Sequence, residues 1–326
     1  MNSMEEDKEL ALVEAERLMA LGDLEREQGR YAQAQNCYDG ALNIFRRHGS
    51  RAGQGRALRE IGTVYGFQGQ YERAIEHCSQ SLAIAREIGN RRSEGHVLGS
   101  LGTVYEAQGE LERAIEHFDQ SIRIAREIGD KRHEAAYISN IGGICFVIGR
   151  NNQAIKRFRQ SFDIAREIGD KISEGINLGK LGIVYWAQGQ YGQAIEHFEQ
   201  SIRIAREVGD KCNEGIHLGN LGEVLFTLER IDEAEEAFRE AIVLAAETIP
   251  GAAGAFRASL ALLLAQQGKL DEVWALLDAG EAQVEAQPAE YAKFLCKKGQ
   301  VCHIAGDAAG ARTALTQAQG VAAELK

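Results

Sequence analysis

The chain reads as an all-α solenoid of antiparallel helix pairs, and three observations predict it. Gly62, Gly102, Gly142 and Gly182 recur at a 40-residue spacing, each followed seven residues on by Gly69, Gly109, Gly149 or Gly189. Tyr65, Tyr105 and Tyr185 stand between them, with Cys145 in the remaining slot. A fixed period in this range marks stacked supersecondary units that bury their apolar faces only against neighbours. Apolar residues within a unit fall at helical spacing. Two prolines in the whole chain and no β-branched alternating run argue against strands.

Residues 91–130 serve as the reference unit. Leu98, Leu101, Gly102 and Tyr105 fall at i, i+3, i+4 and i+7 on one stripe of a first helix, A. Gln108 and Gly109 turn the chain, and Leu111, Ala114, Ile115, Phe118, Ile122 and Ala125 form the stripe of a second helix, B. Gly129 can take the positive φ of a helix end, and Asp130 can cap the next A helix. Gly89-Asn90, Gly169-Asp170 and Gly209-Asp210 repeat that punctuation, with Glu94, Glu134, Glu174 and Glu214 placed near the positive end of the next helix dipole. Small pairs (Gly62 with Ala74, Gly102 with Ala114, Gly142 with Ala154, Gly182 with Ala194, Gly222 with Ala234) predict a close A–B crossing. Enlarging one would overpack it by roughly 1–3 kcal/mol.

The organisation follows from this register. Residues 1–10 are expected to be disordered or frayed. Six 40-residue repeats fill 11–250, the first (11–50) a capping unit with Glu25 in the tyrosine slot. Past Thr248-Ile249-Pro250-Gly251 the turn glycines shift to Gly268 and Gly306, so 251–288 and 289–326 read as two degenerate repeats ending in a capping helix.

With 48 acidic against 37 basic residues and net charge -11, no basic run can track a phosphate backbone, so nucleic acid and anionic membrane are not expected partners. The longest apolar run, Leu260 to Ala265, is too short to cross a bilayer. The six cysteines make no C-x₂-C pair, and the start of the chain lacks a secretory pattern. A reduced, cytoplasmic setting is expected.

Leu98-x₂-Leu101-Gly102-x₂-Tyr105 followed by Ala114-x₃-Phe118 resembles the tetratricopeptide repeat, with Leu in place of the usual first Trp. The stretch from Ala205 to Asp210 and on through Leu218-Gly219-Asn220-Leu221-Gly222 is similar to the 40-residue variant of kinesin light chains and Pins/LGN adaptors. The resemblance is strong from 51 to about 247. It implies a right-handed superhelix whose A helices line a concave groove for an extended or helical segment of another protein. Pins/LGN-type adaptors also carry Gα-binding motifs after their repeats; none is read here, so a G-protein role is not expected.

Stepping at 100° per residue places positions 96, 100, 103 and 107 opposite the core stripe of helix A. The groove residues predicted on that face are Arg56, Glu60, Thr63 and Phe67; His96, Ser100 and Thr103; Asn140 and Val147; Ile176, Lys180 and Ile183; and Ile216, Asn220 and Glu223, with Trp186 on the flank. Ser259, Lys293 and Lys297 continue the face, which therefore starts acidic at Glu16, turns apolar and ends basic. Clustered apolar groups mark an interaction site, so Val147, Ile176, Ile183 and Ile216 are expected to seat apolar side chains. The alternative is that the isoleucines extend the inter-repeat core, and the same two readings stand for Trp186, Phe146 and Phe226. From the resemblance, Asn140 and Asn220 would bond the backbone of a bound segment. The charge of Lys180 is expected, from its place on this face alone, to meet a carboxylate.

No catalytic, cofactor or metal residues are assigned. His77, His117 and His197 recur one or two units apart, too far for a shared ion. The pairs Arg86-Glu87, Arg126-Glu127, Arg166-Glu167 and Arg206-Glu207 are expected to make exposed or inter-repeat ion pairs. No Ser/His/Asp set, Walker loop or H-E-x₂-H motif appears. The expected function is a non-catalytic scaffold or adaptor. Two alternatives are a regulatory sensor whose superhelix responds to a small molecule or signalling peptide, and a self-associating structural scaffold.

Overall fold

A computed structural model describes residues 2–324, with side chains from residue 5 onward. Among the described residues there are sixteen α-helices and no strand. Two compact units divide them, 1–168 and 169–326. The first holds four hairpins: α1 (Asn2–Glu27) with α2 (Tyr31–Arg47), α3 (Arg51–Phe67) with α4 (Tyr71–Glu87), α5 (Arg91–Ala107) with α6 (Leu111–Glu127), and α7 (Lys131–Val147) with α8 (Asn151–Glu167). The second holds α9 (Lys171–Ala187) with α10 (Tyr191–Val208), α11 (Lys211–Thr227) with α12 (Ile231–Thr248), α13 (Pro250–Gln266) with α14 (Val273–Val284), and α15 (Pro288–Ile304) with α16 (Ala308–Glu324). Residues 2–10, expected to be frayed, belong to α1.

The helix limits follow the local chemistry. Ser50, Asn90, Asp130, Asp170 and Asp210 each accept a bond from the backbone N–H three residues on, capping α3, α5, α7, α9 and α11. Glycines with φ near +70° close most turns, and Glu229 (φ 57°) occupies the turn where the repeat lacks its glycine.

The small-residue crossing differs in detail from the sequence expectation. A Cβ on Gly102 would lie 2.7 Å from the ring of Phe118, and Gly142, Gly182 and Gly222 face Phe158, Phe198 and Phe238 in the same way. The glycine thus makes room for an aromatic ring one turn beyond the buried alanine, while the second repeat uses Cys78 in that place. A second crossing had no forecast. Ser81, Ser121, Ser161 and Ser201, all buried, donate to the carbonyls of Gly55, Gly95, Ala135 and Gly175 on the paired A helix.

Neighbouring A helices also touch directly within each unit: α3 with α5 and α5 with α7; α9 with α11, α11 with α13 and α13 with α15. Glycines again permit it. Gly99 receives the ring of Tyr137, Gly179 that of His217 and Gly219 that of Phe256, where a Cβ would overlap the ring at 2.0–2.3 Å. No B helix makes an equivalent contact with the next B helix among the described residues, so the A layer is the more closely packed of the two.

The recurring Arg-Glu dipeptides separate. Arg86, Arg126 and Arg206 reach forward to Glu94, Glu134 and Glu214 at the start of the next A helix, at 2.9, 2.6 and 2.6 Å. Glu87 and Glu127 reach back to Arg51 and Arg91 at the start of their own unit. Burial works against the charge of Glu94, but bonds to Arg86 and Arg91 outweigh it and hold the carboxyl below its ordinary value. A depressed carboxyl contributes stability that is present above its unfolded value and lost as pH falls through the folded one. Glu94→Gln is therefore expected to lower the melting temperature at neutral pH, and its gap from the native chain to shrink as pH drops below about 4.5. Thermal melts across that range check it.

Candidate partner-binding groove

In the first unit the outward face of the A helices is laced by charge. Arg56 pairs with Glu16, the residue at the same position one repeat earlier, so the expected acidic start of the face is neutralised. Glu60 is buried, at 7 % exposure, between Arg26 and Arg59, and is not open to a partner. The two arginines close over it. Thr63 and Thr103 donate back to the carbonyls of Arg59 and Gly99 one turn earlier. Phe67 is exposed and stacks on Tyr31 at 5.7 Å, which places it at the turn end of the hairpin. His96, Ser100 and Asn140 are half-buried, and Val147 is 73 % exposed. A recess open to solvent, lined by Arg56, Arg59, Arg92 and His96, lies where α3, α4 and α5 meet.

In the second unit Ile176, Lys180, Ile183 and Trp186 on α9, and Ile216, Asn220 and Glu223 on α11, are all half-buried. Phe226 packs against the core of that unit. Glu223 meets Ser259 of α13 and Lys297 of α15: Lys297 Nζ donates to Glu223 Oε1 at 2.6 Å and to Ser259 Oγ at 2.5 Å, and Ser259 Oγ donates to Glu223 at 2.5 Å. Lys293 pairs with Glu290. The lysines expected to make the face end basic are thus paired. α13 is buried nearly all round, Ser259 and Leu262 included, because its alanines and leucines pack against α11, α12, α14 and α15.

The chemistry available is limited. Ser201 Oγ lies 2.6 Å from Nδ1 of His217, a pair separated by 16 residues that sequence spacing did not single out. Its proton goes to the Gly175 carbonyl, and both residues are buried. Burial lowers the His217 imidazole to about 4, so it is neutral at pH 7. The recurring histidines rest on the recurring tyrosines of their own repeats, His77 on Tyr65, His117 on Tyr105 and His197 on Tyr185. Where the tyrosine slot holds Cys145, the histidine slot holds Arg157.

A profile described as tetratricopeptide repeat matches residues 14–87, 53–127, 132–207 and 173–247, and a second with the same description matches 220–288. The chain belongs to the tetratricopeptide repeat family. No curated protein matches the sequence. Solved structures share the fold. A signal transduction ATPase with numerous domains and a tetratricopeptide repeat sensor, from Pyrococcus horikoshii, is 19% identical with TM-score 0.69 over 94% of this chain and 47% of its own. Aspartyl phosphate phosphatase F from Bacillus subtilis is 14% identical, TM-score 0.67, over 87% and 75%. The Rap conjugation gene regulator of plasmid pLS20, solved with the Phr* peptide, is 17% identical, TM-score 0.59, over 82% and 73%. Identities this low speak for the tetratricopeptide architecture alone. Among the described residues no helix is long and apolar enough to cross a membrane.

Proposed function

We propose that this tetratricopeptide protein is a non-catalytic cytoplasmic scaffold that holds a peptide or helical segment of another protein on the outward face of its A helices. The observation that carries the reading is the pair Ile176 and Ile216, at the same position of consecutive A helices, with Ile183 two turns along α9. All three are half-buried, and stepping at 100° per residue puts them opposite the core stripe of helix A. Apolar groups so placed gain by losing their remaining water to a partner. Lys180 and Asn220, one turn on from those isoleucines, would supply a charge for a carboxylate and an amide for the segment's backbone. Six free cysteines suit a reducing compartment. Neither nucleic acid nor membrane insertion is part of the proposal.

The Rap relative bound to the Phr* peptide and the ATPase whose repeats are described as a sensor support a second reading, in which binding a signalling peptide changes the spacing of the array. A ligand-dependent change in radius of gyration would favour it. Self-association would appear as concentration-dependent sedimentation.

Affinity capture from a native lysate tests the leading reading. The double variant Lys180→Glu, Asn220→Ala is expected to lose the proteins that the native chain recovers. Equal recovery by both would remove the groove proposal.

A further inference from the structure

We propose that His96, Asp130 and His133 form a binding site for a divalent transition ion of the zinc, cobalt or nickel class. His96 stands in the second turn of α5, Asp130 caps α7, and His133 lies in the first turn of α7. One ligand atom from each lies within 4.8 Å of the others. His133 Nδ1 is 3.1 Å from Asp130 Oδ1, and His96 Nε2 is 3.8 Å from Asp130 Oδ2. Ligands about 2.0–2.1 Å from a tetrahedral ion sit about 3.3 Å apart, so small side-chain rotations would close the set. Two imidazoles and a carboxylate are a donor set suited to such ions, and three protein ligands leave a position for water or for a group of a bound molecule.

A second observation points the same way. His96 Nε2 is shut off from solvent and has no hydrogen-bond partner, an unusual state for a buried polar atom. Arg56, Arg59 and Arg92, which share a recess with His96, are the charges that oppose a cation here; Arg56 is paired with Glu16, and the Arg59 guanidinium is bonded to the Glu60 carboxylate at 2.5 Å. The histidines are not part of the repeat's general design. Other junctions keep an Asn or Asp cap, as at Asn90, Asp170 and Asp210, but replace the two histidines by Arg56 and Ser93, Ala136 and Ser173, or Ile176 and Asn213. Capping alone explains the aspartate and leaves the histidines unexplained. An ion in this place would tie α5 to α7, two consecutive A helices, whether or not a partner occupies the groove.

The test is a calorimetric titration of the untagged full chain with Co²⁺ alone, followed by displacement with Zn²⁺. One equivalent is expected to bind. His96→Gln and His133→Gln should each weaken it by about tenfold or more. Asp130→Asn, which preserves the cap but removes the charge, should weaken it as well. His197→Gln on α10 should leave it unchanged. No stoichiometric binding, or binding insensitive to both His96→Gln and His133→Gln, overturns the site. A readout on the native chain guards against variants that unfold: Co²⁺ should broaden the ring-proton signals of His96 and His133 before those of the other histidines, and broadening elsewhere first overturns it.

Discussion

Phe118→Ala is expected to destabilise the chain by about 3–5 kcal/mol, and Gly102→Ala by about 1–3 kcal/mol. The double variant should cost less than the sum of the two. Phe118 is fully buried, and its ring occupies the space where a Gly102 Cβ would sit, 2.7 Å from Cδ1 and Cε1. Removing the ring opens a cavity in the A–B crossing, and the methyl added at Gly102 then fills part of it. Residues sharing one cavity couple by about 0.5–3 kcal/mol. Urea unfolding of the native chain and the three variants gives the coupling energy. Strict additivity would mean that the glycine is not there for the ring. The same argument extends to Gly142 with Phe158, Gly182 with Phe198 and Gly222 with Phe238.

Replacing Ile176, Ile183 and Ile216 together by serine is expected to weaken capture of the partner by about a hundredfold or more. Each isoleucine is half-buried and retains part of its apolar surface for a partner. About 1 kcal/mol for each remaining half, at about 25 cal/mol per Å², sums to about 3 kcal/mol, and every 1.4 kcal/mol is tenfold in affinity. Circular dichroism on the same variant separates the alternatives. Retained helix content with lost binding supports the groove; loss of helix would place the isoleucines in the core between A helices.

The period and the hairpins were legible because they rest on local rules. Asp130 bonding the N–H of His133, Gly109 at φ 83° and the stripe from Leu98 to Tyr105 each act within one helix or one turn. Those rules also held in part where the register slipped, since Pro250 and Pro288 stand at the starts of α13 and α15. The groove was less legible. Opposite-face stepping put Glu60 and Glu223 on the expected open face, but one is enclosed by Arg26 and Arg59 and the other by Ser259 and Lys297. His77 and His117 occupy the same position in successive repeats. The cluster in the structure joins different positions, His96 and His133, so an offset of 37 residues instead of 40 was the signal to look for.

By itself, then, the amino-acid order determined the helix class, the 40-residue unit and the inner stripe of each hairpin, because caps, turn glycines and helical periodicity are written within a few residues. Tertiary structure decided which glycine receives which ring, which arginine grips Glu94 or Glu60, and which groove groups meet across α11, α13 and α15. Those outcomes depend on the height and rotation of one helix against the next. Packing of bulky side chains into the spaces left by Gly99, Gly102 and Gly219 sets that offset, and no single-helix pattern encodes it.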